Sequence, residues 1–450
     1  MLITYGRAPR SPARRATTFA LACWAFLTAV AVRAEEQTVG HSRPVPSAAL
    51  TVDDAVDEAL HANRDLRTAY FAIEQARARL VQAGLWPNPA LDLTGSHDFA
   101  FANEGEYTAS AGFGQRFPVA GRIGRLKDVA RVDVAIALAE VRDAARRLIA
   151  DVQAAFNDLL VLKMQIAERD RLIGIARSLV DVSAARAKVA EVSALDVNTA
   201  RIELQRLELE RSLLVAQQQA RSAELNRLLG MVPDNSVSVT GEIAPAIALP
   251  PRDTLRREAL GRRPDLQQIS LQAGRAQAER MLARAERWED WTFGFSYDRD
   301  LQVVDGAPPQ RADQLLGLRL TIPLPLLNQN QGRVAEAASL EAQSRSRKSA
   351  LELTVTAEIE SAYRRVEEIR GVVEGFRTKL IPLADSNVTV AQDAYRSGLT
   401  SVHQVIQVQR QQSELRTGYL DVLGQYRRAM IDLEVAAATS PHLEQLEGDK

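Results

Sequence analysis

Between Arg125 and Ile173 the sequence runs for 49 residues without a glycine or a proline. A helix of that length extends ~70 Å at ~1.5 Å per residue, more than one globular domain can cover. The stretch from Ile175 to Leu229 is equally free of both residues, as is Arg333 to Arg370. The chain's 450 residues have room for two or three ordinary domains, yet only 5% are aromatic, and Ala, Leu, Arg, Glu and Gln dominate. That composition belongs to long helices. Leu195, Ile202, Leu209, Ala216 and Ala223 recur every seven residues, and Ala200, Leu207, Leu214 and Leu228 form a second series broken by Arg221. Two apolar series on one helix mean two packing faces, as in a cylinder of helices. On these spacings alone, a coiled-coil rod with a single seam stays open.

The chain also repeats itself. Glu58-Ala59-Leu60 followed by Asp65-Leu66 returns as Glu258-Ala259-Leu260 followed by Asp265-Leu266, an offset of 200. Further on, Phe117-Pro118 matches Ile322-Pro323, Gly124-Arg125-Leu126 matches Gly332-Arg333-Val334, and Leu172-Ile173 matches Leu380-Ile381, by which point the offset is 208. Shared helical composition does not explain matching Pro and Gly punctuation.

Within each half the period changes. Thr51, with Asp54 three residues on, opens a helical stretch expected to run to Ala83 before Gly84 and Pro87. Alternation follows. Leu91, Leu93, Phe99 and Phe101 oppose Asp92, Thr94, Ser96 and Asp98, and a return strand sets Tyr107, Ala109, Ala111, Phe113 and Phe117 against Ser110, Gly112 and Arg116. In the second half Trp291, Phe293, Phe295 and Tyr297 alternate with Thr292, Gly294, Ser296 and Asp298, and Leu316, Leu318 and Leu320 with Gly317 and Arg319. Apolar side chains on one face and small or polar ones on the other fit a lipid-facing barrel strand, and equally a half-buried soluble sheet. Four strands cannot close a membrane barrel, because the smallest need about eight. Several chains would have to share one.

The expected organisation is a signal peptide at 1–34, an extension at 35–48, a first repeat at 49–253 and a second at 254–435, with a tail at 436–450. The first repeat holds a β-hairpin at about 90–118, a long helical hairpin at 119–229 and a connecting segment at 230–253. The second holds a β-hairpin at about 289–323 and a helical hairpin at 324–435. Arg10, Arg14 and Arg15 before the apolar run Thr17–Val32, with small Ala34 at the junction, are the marks of an export signal, which makes the mature chain extracytoplasmic. The run continues past Cys23, which argues against lipidation there. An N-terminal membrane anchor is the alternative reading of the same run.

Charge and missing motifs exclude several classes. With 56 Lys+Arg against 57 Asp+Glu the net charge is −1, which provides no basic stripe for nucleic acid. One cysteine makes neither a disulfide nor a thiolate metal site, and His41, His61, His97, His403 and His442 show no metal-ligand spacing. No phosphate loop and no nucleophile elbow is present, so no catalytic residue, metal site or cofactor is expected.

With these residues in view, the sequence resembles the TolC family of outer-membrane efflux proteins over nearly the whole mature chain. The resemblance rests on Leu50-Thr51-Val52-Asp53-Asp54-Ala55 through Asp65-Leu66, on Pro118 and Pro323 at the strand exits, and on Tyr395-Arg396-Ser397-Gly398. Leu85-Trp86-Pro87-Asn88-Pro89-Ala90-Leu91 is similar to the heavy-metal, CzcC-like branch. What the resemblance implies is a mainly α fold with a small β part. It further implies a homotrimer with a long periplasmic α-barrel and a twelve-stranded outer-membrane β-barrel, expected to serve as a passive exit duct for heavy-metal cations or small toxic compounds, docked on a periplasmic adaptor and an inner-membrane pump of the resistance-nodulation-division type. A periplasmic coiled-coil adaptor or scaffold without a channel is the alternative. The same resemblance assigns the periplasmic aperture to the helical turns, with Glu191, Asp196, Tyr395, Arg396, Gly398 and Gln404 as candidates. Asp196 either accepts a bond from the second hairpin, from Tyr395 or Arg396, or caps the helix after the turn, with Tyr395 packed between helices. Ala190 stands where the family often has Gly, and Gln404 where it often has Asp, so a ring of carboxylates is absent at 404. The lipid-facing candidates are Leu91, Leu93, Phe99, Phe101, Trp291, Phe293, Phe295, Tyr297, Leu318 and Leu320.

Overall fold

A computed structural model describes residues 49–97, 105–243, 249–303, 306, 308, 310–440 and 442. The signal peptide, Cys23 and the strand candidates Phe99 and Phe101 lie outside the described residues. In chain order the elements are α1 (Val52–Ala62), α2 (Arg64–Ala83), β1 (Ala90–His97), β2 (Tyr107–Phe117), α3 (Arg122–Lys188) and α4 (Ala194–Leu228). The second half supplies α5 (Arg252–Arg262), α6 (Pro264–Ala285), β3 (Trp291–Leu301), β4 (Asp313–Thr321), α7 (Gln331–Gly375), α8 (Ile381–Arg396) and α9 (Val402–Ala437). The longest helix, α3, has 67 residues, or ~100 Å, and passes straight through Gly174. Helix α5 begins two residues before position 254, where the second repeat is expected to start, and α9 ends two residues beyond 435.

The helix expected to run from Thr51 to Ala83 is two helices. Thr51 caps α1 as expected, its hydroxyl accepting from the Asp54 amide at 3.3 Å while Asp54 accepts from the Thr51 amide at 3.1 Å. At Asn63 the backbone turns extended, with ψ 126°. Its carboxamide works on both sides: Oδ1 accepts from the Leu66 amide at 2.8 Å, capping α2, and Nδ2 donates to the Leu228 carbonyl at 2.8 Å, at the end of α4. A continuous helix would forfeit both bonds. In the second half Arg263, the counterpart of Asn63, breaks α5 from α6 at ψ 123° and donates to the Ala436 carbonyl at the end of α9.

Backbone handedness records the duplication as well. Ala190 (φ 62°) and Gly398 (φ 75°) are left-handed at matching positions of the two repeats, and so are Gly230 (φ 72°) and Ala438 (φ 53°). Only glycine fits at 230, where a Cβ would lie 2.1 Å from the Ala62 carbonyl oxygen. The halves differ at one place in the long helices. Pro382 offers no amide to the turn before it, so residues Phe376–Leu380 widen into a π-helical turn closed by the Ile381 amide on Phe376. Gly174, its counterpart in the first repeat, leaves α3 unbroken.

The principal core lies where the short helices meet the long ones, around Val56, Ile149, Val152, Leu225, Val355 and Val366. Leu50 pairs with the connecting segment there, donating to Ser238 at 2.8 Å and accepting from Thr240 at 2.9 Å. Smaller clusters continue down the hairpins, one around Leu172, Ile173, Ala176 and Leu207 and one around Leu179, Ala200, Tyr395, Val405 and Ile406. The two apolar series of α4 have different fates. Ala200, Leu207 and Leu228 are buried by the chain's own helices, whereas Leu195, Ile202 and Leu209 are 72%, 64% and 68% exposed. One seam is filled and the other is open.

Candidate functional site

The two turns joining the long helices are near copies. After α3 the Glu191 amide reaches back to the Arg186 carbonyl at 3.0 Å, and after α8 the Leu399 amide reaches the Ala394 carbonyl at 2.8 Å. Each closure needs the left-handed residue before it, Ala190 or Gly398. Ser193 then caps α4 and Ser401 caps α9, accepting from the amides of Asp196 and Gln404.

Asp196 does not meet the second hairpin. Its carboxylate accepts from the amide and hydroxyl of Ser193, at 3.0 and 2.8 Å, completing a capping box. Arg396 turns back along its own helix to Asp393 at 3.3 Å. The expected contact of Asp196 with Tyr395 or Arg396 is therefore absent, because Asp196 and Arg396 each find a partner on their own helix or its cap. Gln404 takes part in the cap of α9 through its backbone amide, which donates to the Ser401 hydroxyl at 3.4 Å.

The residue that joins the hairpins is Arg186, which the sequence reading missed. Its Nη1 donates to the Tyr395 carbonyl at 2.9 Å, its Nε donates to Glu191 at 2.9 Å, and its guanidinium lies 5.1 Å from the centre of the Tyr395 ring. Glu191 thus holds Arg186 in place. Tyr395 is 4% exposed, its hydroxyl 3.0 Å from Ser183 Oγ. Further up, buried Glu203 of α4 accepts from Arg410 of α9 at 3.0 and 2.5 Å and from Arg206 at 2.6 Å. Burial pushes the Glu203 carboxyl up, but the hydrogen bonds from Arg206 and Arg410 outweigh it and hold the pKa below the ordinary glutamate value. Arg169 of α3 reaches Ser413 of α9 at 3.2 Å, and Arg416 lies 3.7 Å from Glu168 while binding Asp385 at 2.8 Å. A ladder of arginine contacts thus fastens the first hairpin to the second within one protomer. Its partners come from opposite halves of the chain, so no local spacing announces them.

At the other end the four strands make one antiparallel sheet in the order β1-β2-β3-β4. Register lines up Leu91, Phe113, Phe295 and Leu318 in one row and Leu93, Ala111, Tyr297 and Leu316 in the next. Gln115 stands on the same face, opposite Phe293, and ties back to the Pro87 carbonyl at 2.9 Å. This face is exposed: Leu91 and Leu93 are each 69% exposed, Phe293 47%, Phe295 44% and Leu318 76%. At its helix-proximal edge Phe117 sits beside Trp291 and packs edge-on against Trp86 at 6.0 Å. The opposite face carries Asp92, Asp298, Asp300 and Asp313 with Arg116, Arg319, serines, threonines and glycines. A soluble sheet hides its apolar face. This one displays it. Among the described residues no helix is long and apolar enough to cross a membrane, and no three His, Cys, Asp or Glu are grouped to hold a metal.

Comparison with known proteins agrees with this geometry. Residues 55–231 and 255–439 each match the family described as Outer membrane efflux protein, one match per repeat. The cobalt-zinc-cadmium resistance protein CzcC of Cupriavidus metallidurans is 22% identical over 385 residues, covering 86% of this chain and 89% of that one. Among solved structures, a membrane protein from Pseudomonas aeruginosa superposes with a TM-score of 0.68 at 20% identity, over 86% of this chain and 92% of the other. The Campylobacter jejuni CmeC outer membrane channel gives 0.68 at 15% identity, over 88% of each. A family of channels excludes the adaptor or scaffold reading. The chain belongs to the outer membrane efflux protein family, as a non-enzymatic outer-membrane channel of tripartite efflux systems that extends into the periplasm.

Proposed function

We propose that three copies of this chain form one exit duct for metal cations, shut at rest by the helical turns and opened when a periplasmic adaptor and a resistance-nodulation-division pump engage. Channels of this family are trimeric and pair with an adaptor and a pump. The observation that carries the reading is the exposed apolar face of an open sheet. Unpaired edges on β1 and β4 and an uncovered face are both satisfied when three sheets close into twelve strands in lipid. The open α4 seam of Leu195, Ile202 and Leu209 supports the same assembly, since a neighbouring protomer would fill it.

Cation cargo is supported by the printed description of the CzcC relative and by the inner face of the sheet, where four aspartates outnumber two arginines. Summed over three copies, that excess lowers the energy of cations in the outer segment. Arg186 and Arg410, each joining one hairpin to the other, serve as the catch on the aperture, with Glu191 and Tyr395 as their support. The test has two parts. Native mass measurement of the detergent-solubilised protein is expected to give a trimer; a monomer or dimer refutes the assembly. In a strain lacking the channel, restoring the gene is expected to raise tolerance of zinc, cobalt or cadmium, and a gain confined to organic toxicants refutes the cargo.

A further inference from the structure

The outer face of the sheet is apolar from Trp291 to Tyr297 and then changes character. Arg299 follows in the same alternation, with its guanidinium 5.8 Å from the centre of the Tyr107 ring. Register places Ala109 and Gln314 on either side of it and Gly95 beyond Ala109; the next row holds His97, Tyr107 and Leu301. On its β2 side the arginine thus has only the small Ala109 and then Gly95, with Tyr107 and His97 in the adjoining row. Its chain neighbours Asp298 and Asp300 project from the opposite face, where Ser110 and Thr108 donate to them, the latter at 2.7 Å. Among the described residues no carboxylate meets Arg299. Since β3 is an inner strand of the sheet, the edges at which copies would join lie elsewhere.

Height in the membrane identifies the partner. Helices adjoin the sheet at the Trp291 end, so that end is periplasmic and Arg299 lies toward the cell exterior. Eight residues at ~3.3 Å, on strands tilted by ~40°, raise Arg299 by ~20 Å above Trp291, within a lipid-facing band ~25 Å tall. An arginine there reaches the headgroup layer by extending outward, whereas at mid-band it would be strongly disfavoured. The geometry points to a lipid-binding site: Arg299, with Tyr107 and His97 in the adjoining row, holds the phosphate of an outer-leaflet glycolipid, the guanidinium pairing with the anion while the tyrosine ring fixes its direction. The inference rests on the apolar face meeting lipid.

The test uses the full-length trimer in phosphatidylcholine nanodiscs, titrated with bisphosphorylated lipid A or with the same lipid A dephosphorylated, bound lipid being counted by native mass spectrometry. Wild type is expected to prefer the phosphorylated form. Arg299→Gln is expected to bind it about five-fold more weakly per site, the factor for losing one basic residue near a charged surface. Arg299→Lys should keep most of the affinity, and Arg319→Gln, on the inner face, should change nothing. An unchanged trimer band on unheated gels establishes that Arg299→Gln still assembles. Equal binding of dephosphorylated lipid A, unchanged binding by Arg299→Gln, or displacement by millimolar inorganic phosphate would overturn the inference alone. Failure of the wild-type trimer to enter nanodiscs would overturn it together with the lipid-facing reading.

Discussion

Placing an arginine at Phe295 measures how deep that residue sits. Phe295 lies in the row Leu91, Phe113, Phe295, Leu318, four residues along β3 from Trp291. At ~3.3 Å per residue and ~40° of tilt this is ~10 Å above the Trp291 edge, close to the middle of a ~25 Å apolar band. An arginine at the midplane of a membrane barrel costs about 2–4 kcal/mol, falling to about 0–1 kcal/mol near the interfaces. Phe295→Arg should therefore destabilise each copy by about 2–4 kcal/mol, Phe293→Arg by less, and Trp291→Arg by about 1 kcal/mol beyond the loss of the indole. Thr94→Arg provides the contrast, since Thr94 stands on the inner face in the row of Asp298, and a surface change there should stay within ~0.5 kcal/mol. Guanidinium unfolding of the protein from lipid vesicles gives the four values. Equal costs at 295 and 94, or no gradient from 291 to 295, would refute the assignment of faces.

Two further predictions concern the periplasmic end, and a third ranks the left-handed turns. Glu203→Gln should raise the resting conductance in planar bilayers by weakening the hold of Arg410 on α4, whereas Asp196→Ala, which breaks only a helix cap, should leave it unchanged. Because the folded Glu203 pKa is lowered, its contribution is complete above the ordinary value of 4.5 and is lost as pH falls through the folded value. Resting conductance should then be flat across the neutral range and rise only in acid below that ordinary value; a rise near neutrality would sink the mechanism. Ala190→Gly should stabilise the first turn by ~1 kcal/mol and Gly398→Ala should cost a similar amount, because a Cβ at 398 meets only the Arg186 guanidinium at 3.7 Å and the penalty is conformational. Gly230→Ala, against a carbonyl 2.1 Å away, should be far worse, and thermal melts in detergent rank the three.

Periodicity made the architecture legible. The Gly- and Pro-free runs became α3, α4 and α7, the alternating segments became four strands, and the duplication returned as paired left-handed residues. The helix break at Asn63 was hidden because it arises from a bond to Leu228, 165 residues away. Its counterpart at Arg263 had a local sign in Pro264, and the π-helical turn had one in Pro382. Of the two readings of Asp196 the local one prevailed: Ser193 three residues earlier spells a capping box, and the bond across to the second hairpin does not form. Arg186 and Arg410 could not be read because each acts on a helix whose rotational phase only the folded hairpins fix.

The junction of the two repeats is itself a pair of strands, and this sets a constraint on when the sheet can form. β2 pairs with β3 over eleven residues, from Tyr107 with Leu301 to Phe117 with Trp291. The β3 partners of β2 emerge from the export machinery only after the whole first helical hairpin, α5 and α6 have passed through. Closing so long a loop costs chain entropy before any ladder bond is made, so the first hairpin must wait with one side unpaired. Membrane insertion is consequently a late event: the helical hairpin of the first repeat can form while β2 waits, and a chain cut off before Trp291 has no means of completing the wall.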